Sequence, residues 1–194
     1  ITTPQLMKAK PFELKDFTPI VIVAAAATCM IASVSFAPNT IMEVIQAARA
    51  NPGKLAYGSN GIGGTYHLEM ELMRQRFNID VIHVAYKSGV DALMAATTAT
   101  LPIAYAPCAT ALPQVKAGRV RALGYSGTRR LSALPELPTI AETGVAGYES
   151  GVWFGLAVPA GTPREIIAKL NAEAVKGTKS PDFSKRMTEL GYNI

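Results

Sequence analysis

The chain has 194 residues, of which 49% are hydrophobic and 17% are charged, a size that fits one domain or two small ones. This composition excludes a disordered protein, and the length allows a hydrophobic core without metal or disulfide staples. The formal net charge of +5 is mild and the basic residues are scattered, so we expect small anions rather than nucleic acid as partners.

The first part of the chain contains one long apolar run. Residues 1–20 offer no strand with an evident partner, whereas residues 20–32 predict one or two buried strands and are too few to span a membrane. No signal peptide is recognisable, and the chain begins at Ile1 rather than Met, so we expect a processed or truncated start.

Short strands and helices alternate through the remainder. Helices are predicted at about 41–50, 65–76, 90–97, 110–117, 163–176 and 181–190, and strands at 55–58, 81–86, 101–105, 120–125 and 152–158. This alternation predicts parallel pairing in an α/β sheet. The elements at the two ends cannot close a sheet alone, so they either join the central sheet or belong to a second lobe.

Three helix starts carry the capping-box pattern, a Thr followed three residues later by Glu. The pairs are Thr40–Glu43, Thr139–Glu142 and Thr162–Glu165. Pro163 would then be the first helical residue after the third pair, a position that suits proline.

The cysteines and histidines give little sign of chemistry. Cys29 and Cys108 lack metal-binding spacing, so two buried free thiols are the favoured interpretation, with a long-range disulfide as the alternative. His67 and Cys108 are the only candidates for an acid, base or nucleophile. We therefore predict no catalytic residue, no metal and no cofactor.

A glycine-rich segment between a strand and a helix is the most informative feature. Its glycines permit a sharp turn, and the helix start offers N–H groups that suit a carboxylate or phosphate. It lacks the lysine of a P-loop, and Tyr66 stands where a dinucleotide fingerprint needs Gly or Ala. A plain turn with Thr65 as N-cap is the alternative. The predicted ligand-binding residues here are Ser59, Asn60, Gly61, Ile62, Gly63, Gly64 and Thr65.

A second strand-to-helix junction contains Tyr105, Ala106 and Pro107. In a parallel sheet it opens at the same carboxyl edge as the glycine-rich segment, where ligands bind. We predict that these three residues line the other side of the ligand, with a plain connector as the alternative.

Several motifs, taken in this order, resemble one family closely. They are Asn51-Pro52-Gly53-Lys54-Leu55, Tyr57-Gly58-Ser59, His83-Val84-Ala85-Tyr86-Lys87, Lys116-Ala117-Gly118-Arg119, Leu134-Pro135-Glu136-Leu137-Pro138, Trp153-Phe154-Gly155-Leu156 and Pro159-Ala160-Gly161-Thr162-Pro163. The chain resembles the tripartite tricarboxylate transporter substrate-receptor family, also called Bug proteins, from about residue 12 onward.

The resemblance implies an α/β fold of the type II periplasmic-binding-protein kind. A doubly wound sheet would form the second lobe, and the C-terminal part of the first lobe would complete this chain. The expected divisions are a remnant of the first lobe with the hinge entry at 1–22, the second lobe at 23–149, and the hinge return with C-terminal helices at 150–194. Members of the family carry about a hundred further N-terminal residues.

The resemblance also implies a function without catalysis. A periplasmic receptor of this family captures a small organic carboxylate by lobe closure and delivers it to membrane permease subunits. Ala106 stands where the family usually has Asp, which argues against an amino-acid ligand. The alternative function is a small α/β enzyme that acts on an anionic metabolite.

Overall fold

The computed structural model describes residues 11–131, 133–189 and 192. It divides the chain into two compact units, one of Ala27–Gly151 and one that combines Ile1–Ala26 with Val152–Ile194. Within the described ranges, every helix is too short or too polar to cross a membrane.

Seven strands and six helices follow one another along the described chain. They are β1 (Phe17–Ala26), β2 (Thr28–Ser33), α1 (Ile41–Ala50), β3 (Ala56–Ser59), α2 (Thr65–Phe77), β4 (Ile82–Ala85), α3 (Gly89–Thr97), β5 (Ile103–Pro107), α4 (Cys108–Lys116), β6 (Val120–Tyr125), β7 (Val152–Pro159), α5 (Arg164–Thr178) and α6 (Pro181–Glu189). Short 3-10 turns occupy Leu14–Asp16 and Ala141–Thr143.

The larger unit is built on a five-stranded sheet in the order β4-β3-β5-β2-β6. β3 pairs in parallel with both β4 and β5, as the alternation of strands and helices predicts. β2 pairs antiparallel with β5 and β6, so the expectation of purely parallel pairing is wrong for this strand. The reason is its connection: β2 comes directly from the other unit and enters beside the carboxyl end of β5.

β2 lies between β5 and β6 in this sheet, and all six of its residues are buried. Cys29 and Ile31 face a core with residues of α3 and α4, while the neighbouring β5 is almost wholly buried as well. The apolar run at 20–32 thus forms two strands, of which only the second is fully buried, because β1 lies in the smaller unit.

A disulfide joins Cys29 to Cys108, with 5.0 Å between their Cα atoms. The favoured interpretation of two free thiols is therefore wrong, and the alternative of a long-range disulfide is confirmed. Pairing of β2 with β5 places Cys29 opposite Ala106, two residues before Cys108. The sheet therefore brings together two cysteines that are 79 residues apart in sequence.

One of the three capping boxes forms in full and a second only in part, because the Glu43 carboxylate accepts the Asn39 N–H rather than that of Thr40. The Thr40 hydroxyl oxygen accepts the Glu43 N–H at 3.2 Å and begins α1. Thr139 and Glu142 exchange both bonds of a capping box, at 3.2 and 2.7 Å, but the box opens only the 3-10 turn at Ala141–Thr143. The sequence pattern identifies the cap here but not the length of the helix that follows.

The third predicted cap is wrong. Pro163, not Thr162, is the N-cap residue of α5, and no side chain caps this helix. The Thr162 hydroxyl instead donates to the Pro159 carbonyl at 2.8 Å, which closes the turn after β7.

The smaller unit contains an antiparallel ribbon of β1 and β7 that extends from Phe17 opposite Pro159 to Ala26 opposite Val152. Residues 17–20 thus have a strand partner, contrary to expectation, because that partner lies far away in the sequence. In α5, the Asn171 amide donates to the Ile20 carbonyl at 2.9 Å and holds the helix on the ribbon.

Candidate functional site

The glycine-rich loop spans Ser59 to Thr65 and joins β3 to α2. Gly61 and Gly63 have φ angles of +103° and +75°, which glycine adopts without steric cost. Gly64 is the N-cap residue of α2 and Thr65 is the first helical residue. The alternative interpretation, in which Thr65 caps the helix, is therefore wrong.

Ser59 supports the loop from the interior. Its side chain has no exposed surface, and its Oγ accepts the Gly61 N–H at 3.1 Å. The same Oγ lies 2.6 Å from Nε2 of His83 on β4. A buried hydroxyl thus fixes the first turn of the loop to the neighbouring strand.

Three of the loop's amides already have protein acceptors. Besides Gly61, the Gly63 N–H donates to His67 Nδ1 at 3.1 Å and the Gly64 N–H donates to the Gly61 carbonyl at 3.2 Å. The amides of these three predicted ligand-binding glycines are therefore already engaged within the protein. Among the described residues, nothing accepts the amide hydrogens of Ile62 and Thr65.

The side chains of Asn60 and Ile62 differ in their exposure to solvent. The Asn60 Oδ1 is buried without a hydrogen-bond partner in the described structure, and a Cβ at Gly64 would run into the Asn60 side-chain amide. The Ile62 side chain is 82% exposed at the tip of the loop. The turn is therefore shaped for glycine at Gly64 and presents an apolar group to solvent.

Two histidines lie beneath the loop with their ring centroids 4.3 Å apart. Because His67 Nδ1 accepts the Gly63 N–H, the proton of the neutral His67 ring sits on Nε2, which lies 3.7 Å from a Glu71 oxygen. The His83 ring stacks on Tyr57. Burial lowers the pKa of His83, and the nearby His67 lowers it further, so His83 is neutral near pH 7.

His83 is a half-buried residue of β4, and the sequence analysis missed both of its partners. Both contacts follow from the register of β3 with β4. Tyr57 lies opposite His83 and Ser59 lies opposite Ala85, so Ser59 at the end of β3 comes close to His83. The contact of His67 with the loop needed no strand pairing, because His67 follows Gly63 by one helical turn.

The second predicted junction meets the loop at the expected edge. β3 and β5 are parallel neighbours, so both end on the same side of the sheet. A Cβ at Gly89, the first residue of α3, would touch both the Tyr66 ring and Pro107. Tyr105 and Ala106 are completely buried, however, and only Pro107 of the three reaches the surface.

The geometry offers limited chemistry. The Ser59–His83 contact has the spacing of a nucleophile and its base, yet Ser59 has no exposed surface and its oxygen already holds the Gly61 amide. Cys108 is consumed by the disulfide. Over the described ranges, no three metal-binding side chains come together.

Comparison with known proteins identifies relatives over almost the whole chain. The model of the tripartite tricarboxylate transporter family receptor matches residues 1–194. A curated protein of Pseudomonas sp. strain P51, the UPF0065 protein in the tcbD-tcbE intergenic region, is 34% identical over 178 residues. The match covers 91% of this chain but only 53% of the relative, so the chain spans about half the length of the curated relatives it matches.

Solved structures share the fold. Periplasmic binding protein BugD has a TM-score of 0.82 and 29% identity over 99% of this chain and 64% of its own. R. palustris Rpa4515 with adipate has a TM-score of 0.80 and 29% identity over 96% and 62%. MatC of Rhodopseudomonas palustris with bound malate has a TM-score of 0.83 and 25% identity over 98% and 65%.

These matches agree with the motifs that run through the chain and with the type II periplasmic-binding-protein fold expected from them. Of the named structural neighbours, BugD is a periplasmic binding protein and MatC has malate bound. This chain belongs to the tripartite tricarboxylate transporter receptor family.

Proposed function

We propose that this chain is the carboxylate-binding part of a periplasmic solute receptor. The observation that carries the proposal is the glycine-rich loop at the start of α2, where the Ile62 and Thr65 amides have no acceptor among the described residues. Two N–H groups and the positive end of a 13-residue helix suit the two oxygens of a carboxylate. The relatives with bound adipate and malate support a small organic acid as the ligand.

The loop's internal hydrogen bonds favour this role. The contacts of Ser59 with Gly61 and of His67 with Gly63 hold the turn in shape before a ligand arrives. A loop that is already ordered loses less conformational freedom on binding, so more of the interaction energy appears as affinity. Ser59 then acts as a support for the loop, and the amides of Ile62 and Thr65 make the contact.

The two units suggest a proposal for the lobes, with boundaries a few residues from the expected divisions at 22/23 and 149/150. We assign the unit Ala27–Gly151 to the second lobe and the unit with β1, β7 and the last two helices to part of the first. The chain passes between the units twice, at Ala26–Ala27 and at Gly151–Val152. Hinge motion at these crossings would close the receptor on its ligand before delivery to permease subunits.

The disulfide supports a periplasmic location. Disulfides persist in oxidising compartments such as the bacterial periplasm and are rare in the cytosol. The bond between Cys29 and Cys108 links β2 to the start of α4 in the interior of the larger unit. BugD, a structural neighbour, is itself a periplasmic binding protein.

Calorimetry on the full-length protein tests the proposal. We expect adipate or malate to bind with a saturable heat, while the matching neutral diamides should not bind. Absence of binding by a broad panel of mono- and dicarboxylates would refute the function.

A proline substitution tests the site itself. Thr65→Pro removes one of the two bare amide hydrogens at the first helical position, where proline is tolerated and Gly64 already has an extended conformation. We expect a loss of about tenfold or more in carboxylate affinity. Arg164→Pro places the same change at the first residue of α5 and should leave affinity unaltered.

The enzyme alternative rests on the Ser59–His83 contact alone. A hydrolase would cleave activated carboxylate esters faster than the uncatalysed reaction, and the His83→Ala substitution would remove that activity. We expect no turnover above the uncatalysed rate, because the serine is enclosed.

A further inference from the structure

A carboxyl group lies in the interior of the larger unit, one turn after the glycine-rich loop. Glu69 of α2 is only 2% exposed, and its Oε1 accepts a hydrogen bond from the Thr28 hydroxyl at 2.7 Å. Its Oε2 is buried without a hydrogen bond in the described structure. In such a place an ionised carboxylate with one oxygen lacking a hydrogen bond is far more costly than the neutral acid.

Glu69 is linked through Thr28 to both segments that connect the two units. The Thr28 N–H donates to the Ser126 hydroxyl at 2.7 Å, and that hydroxyl donates to the Ser150 carbonyl at 2.8 Å. Main-chain bonds between the same three residues accompany these contacts. Thr28 follows the end of the smaller unit by two residues and Ser150 precedes its return by two, so α2 is tied to both crossings.

The titratable groups that face Glu69 are tyrosines. The negative charge of Glu69 would raise the pKa of Tyr105 in β5 and of Tyr148 in the segment before β7. The hydroxyl groups of both tyrosines are buried without hydrogen bonds of good geometry in the described structure. Within the described part of the chain, the groups that act on Glu69 include no Lys, Arg or His. Burial raises the pKa of Glu69 to about 7, against the opposing effect of the Ser150 and Thr28 hydroxyls.

We propose that Glu69 is a proton-operated positioning residue, whose neutral carboxyl group anchors α2 to the two crossings and whose ionisation weakens carboxylate binding at the loop. The anchor stands on the hydrogen bonds alone, while the effect on binding rests on the proposed function. Glu69 follows Thr65 by four residues, about 6 Å along the helix, so its charge would lie roughly 10 Å from a bound carboxylate. At an effective dielectric constant near 20, the two negative charges would weaken binding on the order of tenfold.

The direction of the stability effect follows from the raised pKa. An acid that is harder to ionise in the folded state stabilises the protein at pH values below its unfolded value. That contribution is lost as the pH rises through about 7. The neutral isostere Glu69→Gln should therefore match the wild type at pH 5 and exceed it in melting temperature at pH 8.5.

The experiment compares full-length wild type, Glu69→Gln and Glu149→Gln in melting temperature from pH 5 to 8.5 and in adipate affinity from pH 6.5 to 8.5. Glu149 is the matched control, because it is an exposed carboxylate beside Ser150. We expect the wild type to lose about tenfold in adipate affinity across this range and Glu69→Gln to lose much less. His67 and His83 are present in all three proteins, so only the difference between variants reports on Glu69.

Each result is decisive. A pH profile of melting temperature that is the same in the wild type and in Glu69→Gln overturns the anchor. A melting difference in a protein that binds no member of the panel of mono- and dicarboxylates refutes the proposed function and leaves the anchor intact, whereas an unchanged affinity profile in Glu69→Gln refutes the coupling. If the variant does not fold, carbon-13 spectroscopy of glutamate-labelled wild type decides, because titration of Glu69 at an ordinary pH of about 4–5 contradicts the proposal.

Discussion

Reduction of the disulfide should destabilise the larger unit substantially. The bond closes a loop between residues 79 apart, and the chain-entropy relation gives about 4.5 kcal/mol for a loop of that length. That value is a large part of the roughly 5–15 kcal/mol that separates folded from unfolded domains. For a protein of this length it corresponds to a fall in melting temperature of roughly 10–18 °C.

The assay is urea unfolding of one preparation with and without reductant. The midpoint should fall in reductant, and the denaturant slope should rise because the reduced unfolded chain exposes more surface. The double variant Cys29→Ala/Cys108→Ala should show no response to reductant. Coincident curves, or two free thiols in the denatured but unreduced protein, would show that the reasoning is wrong.

Three further predictions concern the loop and its supports. Ser59→Ala leaves the Gly61 amide without an acceptor, so we expect a loss of about 1–3 kcal/mol in urea unfolding and weaker carboxylate binding. Gly63→Ala forces a side chain into a φ of +75° and should lower stability by about 1–2 kcal/mol, whereas Ala at Gly177, which has open space, should not. Because burial lowers the pKa of His83, the wild type should lose stability relative to His83→Gln as the pH falls below 6.5 in thermal melts.

Local sequence signals identified the elements that depend on local energies. Thr40 begins α1 because its hydroxyl accepts a main-chain N–H three residues later, a contact that the sequence alone specifies. The loop between β3 and α2 was likewise predicted from its glycines. The Thr162 cap failed because α5 begins one residue later than the pattern predicts, with Pro163 as its N-cap, so Thr162 lies outside the helix and its hydroxyl donates to the Pro159 carbonyl.

Features that depend on distant pairing could not be predicted in this way. The antiparallel direction of β2 follows from its entry out of the other unit, and the disulfide follows from the register of β2 with β5. The Ser59–His83 contact requires the register of β3 with β4. The burial of Glu69 is the hardest of these features to predict from the sequence, because a carboxylate on a polar helix is normally expected on the solvent-exposed face.

The hydrogen bonds within the glycine-rich loop limit the contacts that could select one organic acid over another. With the Gly61, Gly63 and Gly64 amides engaged, the loop that we propose as the carboxylate site has few donors left for a neighbouring hydroxyl. Ile62 exposes 82% of its surface beside the free amides, so contact with it favours an aliphatic carbon next to the carboxylate. We therefore expect adipate to bind more tightly than malate by about five- to tenfold, and Ile62→Asn to reduce that ratio in calorimetry. Equal affinities in the wild type would refute this contribution of Ile62 to selectivity.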